Sequence, residues 1–461
     1  MGRFFGTDGI RGRAGEAPLD PATVQKIGRA IVRALGISEP RVLIGRDTRE
    51  SGPGIEQHLA AGLAAEGAHP ESAGVIPTPA IAHLARQRSG LRRRGYHLGV
   101  VISASHNPYQ DNGIKVFGGA GRKFSTDLED RTEAIIAELE GHPMGEARGV
   151  EQRDLARPYL GHLKRSYGGP PLKGMHLVVD CANGATSFLA GRVLTELGAR
   201  VTAINDQPDG RNINRECGAT HAETVAARVK EAGADLGLAF DGDGDRCILA
   251  DATGRVVDGD HVLFLTARHL KAKGALKGGA VVATVMSNVG LEIALGQAGI
   301  PLVRTAVGDR NVLEEMERRG ANLGGEQSGH VIFLDHEPTG DGLLTGLKVL
   351  EVVGATRRPL HELAAELVVY PQVLLNVRVR ERADIEGIPE IKQHLDRARS
   401  ALDGRGRLVV RYSGTEPLLR VMAEGPDEAE VRSLAHAIAD AVQARLGDVR
   451  PDLRQGDGRG P

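Results

Sequence analysis

Three times along the chain an apolar run of strand length gives way to a polar turn and then to a stretch with helical periodicity. These runs are VLIGRDTR (42–49), LVVDCANG (177–184) and VVATVMSN (281–288). Later in each repeat a second apolar strand ends in a loop dense with functional side chains: GVVISASHNP (99–108), LGLAFDGDGDR (236–246) and ANLGGEQSGH (321–330). Buried strands alternating with helices are the pattern of parallel α/β units. In open α/β sheets ligands gather beyond the carboxyl ends of the strands, where these three loops would lie. The chain is therefore expected to form three similar α/β domains with mixed sheets around a central cleft.

The stretches LVVYPQVLLNVRVR (367–380) and RGRLVVRYSGTEPLLRVMAEG (405–425) are β-rich, and a helix is expected near 427–446. They predict a fourth, smaller α+β domain at the C-terminal end. A length of 461 residues exceeds what one hydrophobic core organises. The expected boundaries are 1–155, 156–255, 256–366 and 367–448. The Gly/Asp/Arg/Pro tail, 449–461, lacks the apolar residues to fold and is expected to be disordered.

An apolar fraction of 41%, a charged fraction of 26% and a net charge of -2 describe a globular chain with no general basic field. The one short basic tract, Arg92-Arg93-Arg94, is expected to be a solvated loop or helix end, so nucleic acid is excluded as a partner. Nothing approaches the roughly 20 apolar residues of a membrane span, and MGRFFGTDGI has no apolar leader core, so a cytoplasmic protein without membrane partner is expected. Gly6 stands where a myristoylation signal at Gly2 wants Ser or Thr. Cys181, Cys217 and Cys247 form no CxxC pair; they suit a reducing compartment and the role of small buried hydrophobes.

In DGDGDR the carboxylates of Asp241, Asp243 and Asp245 alternate with glycines that permit a tight turn, so three hard oxygen donors can converge on one cation. Oxygen-only ligation favours magnesium, calcium or manganese over zinc. An EF-hand is excluded, because its sixth position would be Arg246 and its twelfth Ala252. In ISASHNPYQDNGIK, Ser105 follows a Gly-Val-Val-Ile-Ser strand and precedes His106-Asn107-Pro108, a sequence poor in regular structure and suited to displaying a hydroxyl. Alone it reads equally well as a turn or N-cap residue. No GxSxG elbow surrounds it, which weakens acyl chemistry. A hydroxyl beside a three-carboxylate cation site suggests phosphoryl transfer.

Lys115 and His330 are candidates for proton transfer or charge stabilisation. Glu326 and Ser328 offer the directional acceptors and donors that hydroxyl-rich ligands need. RYSGTEPLLR places Arg411, Ser413, Gly414, Thr415 and Arg420 around one turn, as a phosphate cradle would. Neither a GxGxxG unit nor a Walker motif is present.

Taken together, ASHNP, DGDGDR, GEQSGH and RYSGTEP resemble, in order and in kind, the four loops of the α-D-phosphohexomutase superfamily across about residues 1 to 446. Within it, FGTDGIRG (5–12), VGDR (307–310) and GGEQSGH (324–330) are similar to the branch acting on glucosamine phosphate. The rivals are an enzyme of the same chemistry acting on glucose or mannose phosphate, and a non-catalytic sugar-phosphate binding protein. The resemblance implies an isomerase in which Ser105 is phosphorylated and Mg²⁺ is held by that phosphate with Asp241, Asp243 and Asp245. It places Arg11, Lys115 and Arg246 around the phosphoryl group and Asp309, Glu326 and Ser328 near the sugar. It assigns the substrate's far phosphate to Arg411, Ser413, Thr415 and Arg420. Glucosamine 6-phosphate would be converted to glucosamine 1-phosphate through a 1,6-bisphosphate, with glucosamine or glucose 1,6-bisphosphate as activator, feeding UDP-N-acetylglucosamine and cell-wall precursor synthesis. The fourth domain would act as a lid, and the protein would be a monomer or homodimer. One departure is Arg215-Glu216 before Cys217, where smaller residues are expected; it bears on the conformation of that loop.

Overall fold

The computed structural model describes residues 4–6, 8–86, 95–141, 145–413 and 417–447. The Arg92-Arg93-Arg94 tract, Gly414, Thr415 and the tail 449–461 lie outside the described residues.

The first sheet contains β1 (Phe5–Gly6), β2 (Gly9–Arg13), β3 (Arg41–Arg46), β4 (His69–Val75), β5 (Leu98–Ile102), β6 (Asp111–Gly118) and β7 (Glu151–Gln152), in the order β1-β2-β6-β5-β3-β4-β7. The second contains β8 (His176–Asp180), β9 (Arg200–Ile204), β10 (Leu236–Phe240), β11 (Cys247–Asp251) and β12 (Val256–Val257), in the order β12-β11-β10-β8-β9. The third contains β13 (Val281–Thr284), β14 (Leu302–Thr305), β15 (Leu323–Gly325) and β16 (Val331–Phe333), in the order β14-β13-β15-β16.

One topology recurs in all three. The first strand of each repeat (β3, β8, β13) has a parallel neighbour on either side, and the third strand (β5, β10, β15) then pairs antiparallel with the fourth (β6, β11, β16). The sheets are thus mixed α/β sheets, as the repeated pattern predicts. β5, β8 and β10 are buried at every position, because helices cover both faces. The consequence for function lies in one connection. The chain must reverse between the third and fourth strands, and there it forms the serine loop 103–110, the aspartate loop 241–246 and the Glu326–His330 loop.

By compactness the chain divides into two units. The first holds residues 1–286 and 300–365, and with them all three α/β sheets. The second holds residues 287–299 and the chain from 366 onward. Its antiparallel sheet has the order β17-β19-β18, from β17 (Gln372–Arg378), β18 (Arg407–Tyr412) and β19 (Leu418–Glu424). Helices Pro389–Leu402 and Glu428–Leu446 bury Ile391, Leu395, Val431, Ile438 and Val442 in its core. The helix Val289–Gln297 falls in the third repeat by sequence but lies with this second unit. The reason is local: the Asn288 amide donates to Tyr370 O at 2.9 Å and accepts from Tyr370 N at 3.0 Å, and Arg407 donates to Ser287 O.

Among the described residues no helix is long and apolar enough to cross a membrane. The three cysteines are buried free thiols, and burial pushes Cys217 up to about 12, which keeps it un-ionised.

Candidate functional site

The serine loop is held by an internal arginine. Arg49 is fully buried and donates to the carbonyls of Ser105 and Asn107 at 2.9 Å, to that of Asp111 at 3.0 Å and to that of Pro108, while its Nε donates to Asp47 at 2.8 Å. From the second repeat, Asn214 Nδ2 donates to the same Ser105 and Asn107 carbonyls at 2.9 and 3.1 Å. Asn214 and Glu216 take left-handed backbone angles, which is how the loop containing Arg215-Glu216 turns that amide inward. These donors hold Ser105 itself in the left-handed region, at φ 53°. Replacing Arg49 by Ala would remove the ion pair of the buried Asp47 carboxylate and one donor from each of four carbonyls. A loss of about 3 kcal/mol is expected, read as a lower chemical-denaturation midpoint.

The sequence suggests a displayed hydroxyl, but Ser105 is buried, because the aspartate loop closes over it. A Cβ on Gly242 would stand 2.6 Å from Ser105 O, so only glycine allows the two loops to meet backbone to backbone. Ser105 Oγ donates to Asp241 Oδ2 at 2.5 Å and lies 3.3 Å from His106 Nδ1. Burial, then the charges of Arg246 and Arg11, lower the His106 pKa to about 4, so the ring is neutral at ordinary pH.

Asp241, Asp243 and Asp245 are all buried, with carboxylate oxygens within 4.8 Å of one another. Their mutual repulsion is partly answered from within the protein. Lys115 Nζ, itself buried, lies 2.9 Å from Asp243, 3.0 Å from Asp8 and 3.5 Å from Asp245. Burial opposes the ammonium, but those three carboxylates raise its pKa well above the usual lysine value. Asp241, beyond reach of that lysine, is pushed far up by burial and by the charges of Asp245 and Asp243. Asp245 goes the other way: Lys115, His330 and Arg246 outweigh its burial and hold it well below the carboxylate range. Asp243 Oδ1 and Asp245 Oδ1 remain buried without a hydrogen bond. Two open carboxylate oxygens beside a third carboxyl are the donor set of a hard divalent cation, so the residues fit the metal that the sequence implies.

In front of this cluster lies a cavity of about 440 Å³, in the range of small-molecule sites. Asp8, Arg11, His106, Arg246, Asp309, Glu326 and His330 line it. Arg11 reaches it because β2 pairs with β6, setting Arg11 opposite Gly113; the guanidinium pairs with Asp8 and meets Asn107 at 3.4 Å. Arg246 N donates to Asp241 Oδ1 at 3.2 Å. Glu326 Oε1 accepts from Gly308 N at 3.1 Å, and Ser328 sits in the same turn. His330 Nε2 accepts from Gly340 N at 3.0 Å, which places the ring proton on Nδ1, 3.7 Å from Asp245 Oδ1. Sequence reasoning missed Asp8, His106 and Lys123. Lys123 pairs with Asp8 and, at 2.6 Å, with Asp309, so Asp309 is already engaged. Asp8 stands in the FGTDGIRG segment, which could have flagged it; an isolated Lys123 carries no spacing signal.

The remaining predicted residues belong to the second unit. Arg411 on β18 and Arg420 on β19 are directly opposed across the antiparallel pair, and Ser413 is buried at the end of β18, with N bonded to Leu418 O at 2.8 Å. Two arginines in one cross-strand pair bring two guanidinium groups to one face of the sheet, a combination that suits an anion.

Four family models match in succession: phosphoglucomutase/phosphomannomutase alpha/beta/alpha domain I over residues 2–142, domain II over 157–254, domain III over 258–370 and the C-terminal domain over 374–441. A phosphoglucosamine mutase of Solibacter usitatus is 48% identical, covering 96% of this chain and 99% of its own. Another, of Brevibacillus brevis, is 46% identical, with coverage of 97% and 100%. A solved phosphoglucomutase/phosphomannomutase family protein of Burkholderia thailandensis superposes with a TM-score of 0.79 at 27% identity, covering 96% of this chain and 97% of its own. At 19% identity and a TM-score of 0.65, an Aspergillus fumigatus N-acetylphosphoglucosamine mutase shares the fold over 95% of either chain. With the thrice-repeated sheet, its three loops at one cavity and full-length relatives in agreement, the chain belongs to the phosphoglucomutase/phosphomannomutase family, in its phosphoglucosamine mutase group.

Proposed function

We propose that the protein interconverts glucosamine 6-phosphate and glucosamine 1-phosphate, with Ser105 carrying the transferable phosphoryl group. The observation that carries this reading is the Ser105 hydroxyl, 2.5 Å from a carboxylate of a buried three-aspartate cluster. Asp241, Asp243 and Asp245 would hold Mg²⁺, which when bound neutralises charge on a phosphoryl group.

Transfer breaks the Oγ–P bond of phosphoserine 105 as a sugar hydroxyl oxygen, losing its proton, forms its own bond to phosphorus; Ser105 Oγ takes up a proton and a 1,6-bisphosphate results. After reorientation, the other phosphoryl group returns to Ser105. Lys115, ringed by carboxylates, stays an ammonium and so stabilises phosphoryl oxygens instead of accepting a proton. Arg11 and Arg246 line the cavity beside it and oppose the same negative charge. With Asp241 engaged on the metal, His106, neutral and 3.3 Å from Ser105 Oγ, is the group able to exchange a proton there. Arg411, Ser413 and Arg420, with Gly414 and Thr415, would bind the phosphate that is not reacting. Because each escape of the bisphosphate leaves an unphosphorylated serine, glucosamine or glucose 1,6-bisphosphate is expected to act as activator.

Substrate preference should follow from Glu326. Lys123 neutralises Asp309, which leaves Glu326 as the cavity carboxylate best able to accept from a 2-ammonium group. One charge-assisted hydrogen bond corresponds to roughly ten- to a hundred-fold in kcat/KM. Glucosamine phosphate should be preferred over glucose phosphate by that factor, and mannose phosphate, with its axial 2-hydroxyl, should be poorer still. Parallel kcat/KM measurements with the three sugar phosphates and bisphosphate present check this. Equal or better turnover of glucose or mannose phosphate would move the assignment to another sugar within the family.

A further inference from the structure

One buried carboxylate joins all three repeats. Glu337, fully buried in the segment after β16, receives His83 Nδ1 at 2.5 Å and lies 2.7 Å from His162 Nε2 through the same oxygen, Oε1. His83 lies on the first repeat's helix Thr78–Ala85, and His162 on the helix Ala156–Ser166 that opens the second. The two rings stack with centroids 3.9 Å apart. Arg86 Nη1 reaches Glu337 Oε2 at 3.3 Å and His336 O at 2.7 Å. Burial opposes the charge on Glu337, but the two imidazoles bring its pKa down to about 2, so it stays ionised.

Both chain segments that meet at Glu337 run directly to the aspartate loop. Five residues before His83, Thr78 donates from Oγ1 to Asp243 Oδ2 at 2.6 Å and from its amide to Asp243 O at 2.8 Å. Five residues after Glu337, Gly342 N donates to Gly244 O at 3.0 Å, and between them Gly340 N holds His330. There is no slack in this contact, since a Cβ on Gly342 would stand 2.3 Å from Arg246 O. The loop is therefore gripped from two sides by elements whose far ends are pinned to each other by Glu337.

We propose that Glu337 is a positioning residue for the aspartate loop: through His83 it holds Thr78 in register with Gly342, and so sets the affinity of the three carboxylates for a divalent cation. The inference rests on reading residues 241–246 as a metal loop. Because His83, His162 and Glu337 also lie close enough together to hold a cation, the test follows Mn²⁺ binding to the full-length protein by loss of the free-ion EPR signal and counts as the aspartate-loop site only the binding that Asp243→Asn abolishes. Glu337→Gln should raise the Mn²⁺ dissociation constant at least about fivefold and speed amide exchange within 241–246. His83→Asn, at a partly exposed position, should do the same and serves if the Gln variant does not fold. The double variant should be no worse than the poorer single one, because the two groups act as a unit. A purely structural cluster would lower the melting temperature and leave Mn²⁺ affinity unchanged; that result in a folded variant overturns the inference alone. Absence of Mn²⁺ binding to the wild-type protein would overturn the metal reading together with it.

Discussion

Ser105→Ala should leave a folded protein with no measurable turnover, a loss of at least about 10⁴-fold, because the group proposed to carry the phosphoryl is removed and not merely weakened. The fold should survive for reasons specific to this position. The left-handed backbone at residue 105 is imposed by Arg49 and Asn214 through carbonyl oxygens, and none of those bonds involves the side chain. Alanine places the same Cβ in the same conformation. What is lost is the hydrogen bond to Asp241 Oδ2, while Asp241 Oδ1 keeps the Arg246 amide. Because Asp241 has its pKa pushed far up, its carboxyl can hold a proton when the hydroxyl is gone, which limits the destabilisation to about 1–2 kcal/mol. Two measurements check the prediction: initial rates in the presence of the bisphosphate, and peptide mass mapping, which should place phosphate on Ser105 in the wild-type protein and nowhere in the loop of the variant. Normal turnover by the alanine variant would reject a phosphoserine mechanism.

Much of the architecture is legible in the sequence because its signals are local. Each third strand is an apolar run that ends in a loop of unusual composition, and three such runs at similar positions in three repeats predict one shared cleft. Asp241, Asp243 and Asp245 stand out because alternation with glycine has few other uses. The geometry that makes the site work is set instead by long-range pairing. Arg11 is brought to the cavity by β2 lying against β6, a contact spanning about a hundred residues of chain. Asp8 and Lys123 join Lys115 to Asp309 as alternating charges across two repeats, and no spacing rule links positions 8, 115, 123 and 309. Arg49 reads as an ordinary charged residue of a polar turn. Only the folded chain shows it to be fully buried and the donor to three carbonyls of the serine loop and to that of Asp111 at the start of β6. The same limit applied to Ser105: residues around it can predict a turn, but not that a second loop 136 residues away covers it.

Asp243→Asn should cut the affinity for Mg²⁺ by at least about 100-fold and kcat by about 10³-fold at moderate metal concentration. The two oxygens of Asp243 have different surroundings, and both matter. Oδ2 accepts from Thr78 Oγ1 at 2.6 Å and Lys115 Nζ at 2.9 Å, whereas Oδ1 is buried without a hydrogen bond. An amide must put its NH₂ group on one side or the other. Towards Oδ2 it would face the Lys115 ammonium, donor against donor; towards Oδ1 it would present hydrogens to the place a cation would occupy. Either arrangement also removes the charge that, with Asp8 and Asp245, keeps Lys115 protonated. Chelation of the wild-type protein should abolish activity, and added Mg²⁺ should restore it. Binding should also depend on pH in a stated direction. Asp241 has a raised pKa, so its proton must leave before that carboxyl can bind a cation, and affinity should weaken as pH falls. Metal titrations at several pH values, on the wild-type and Asn proteins, measure both effects. Full activity after chelation, or zinc as the tightly held ion, would show that residues 241–246 do something other than hold magnesium.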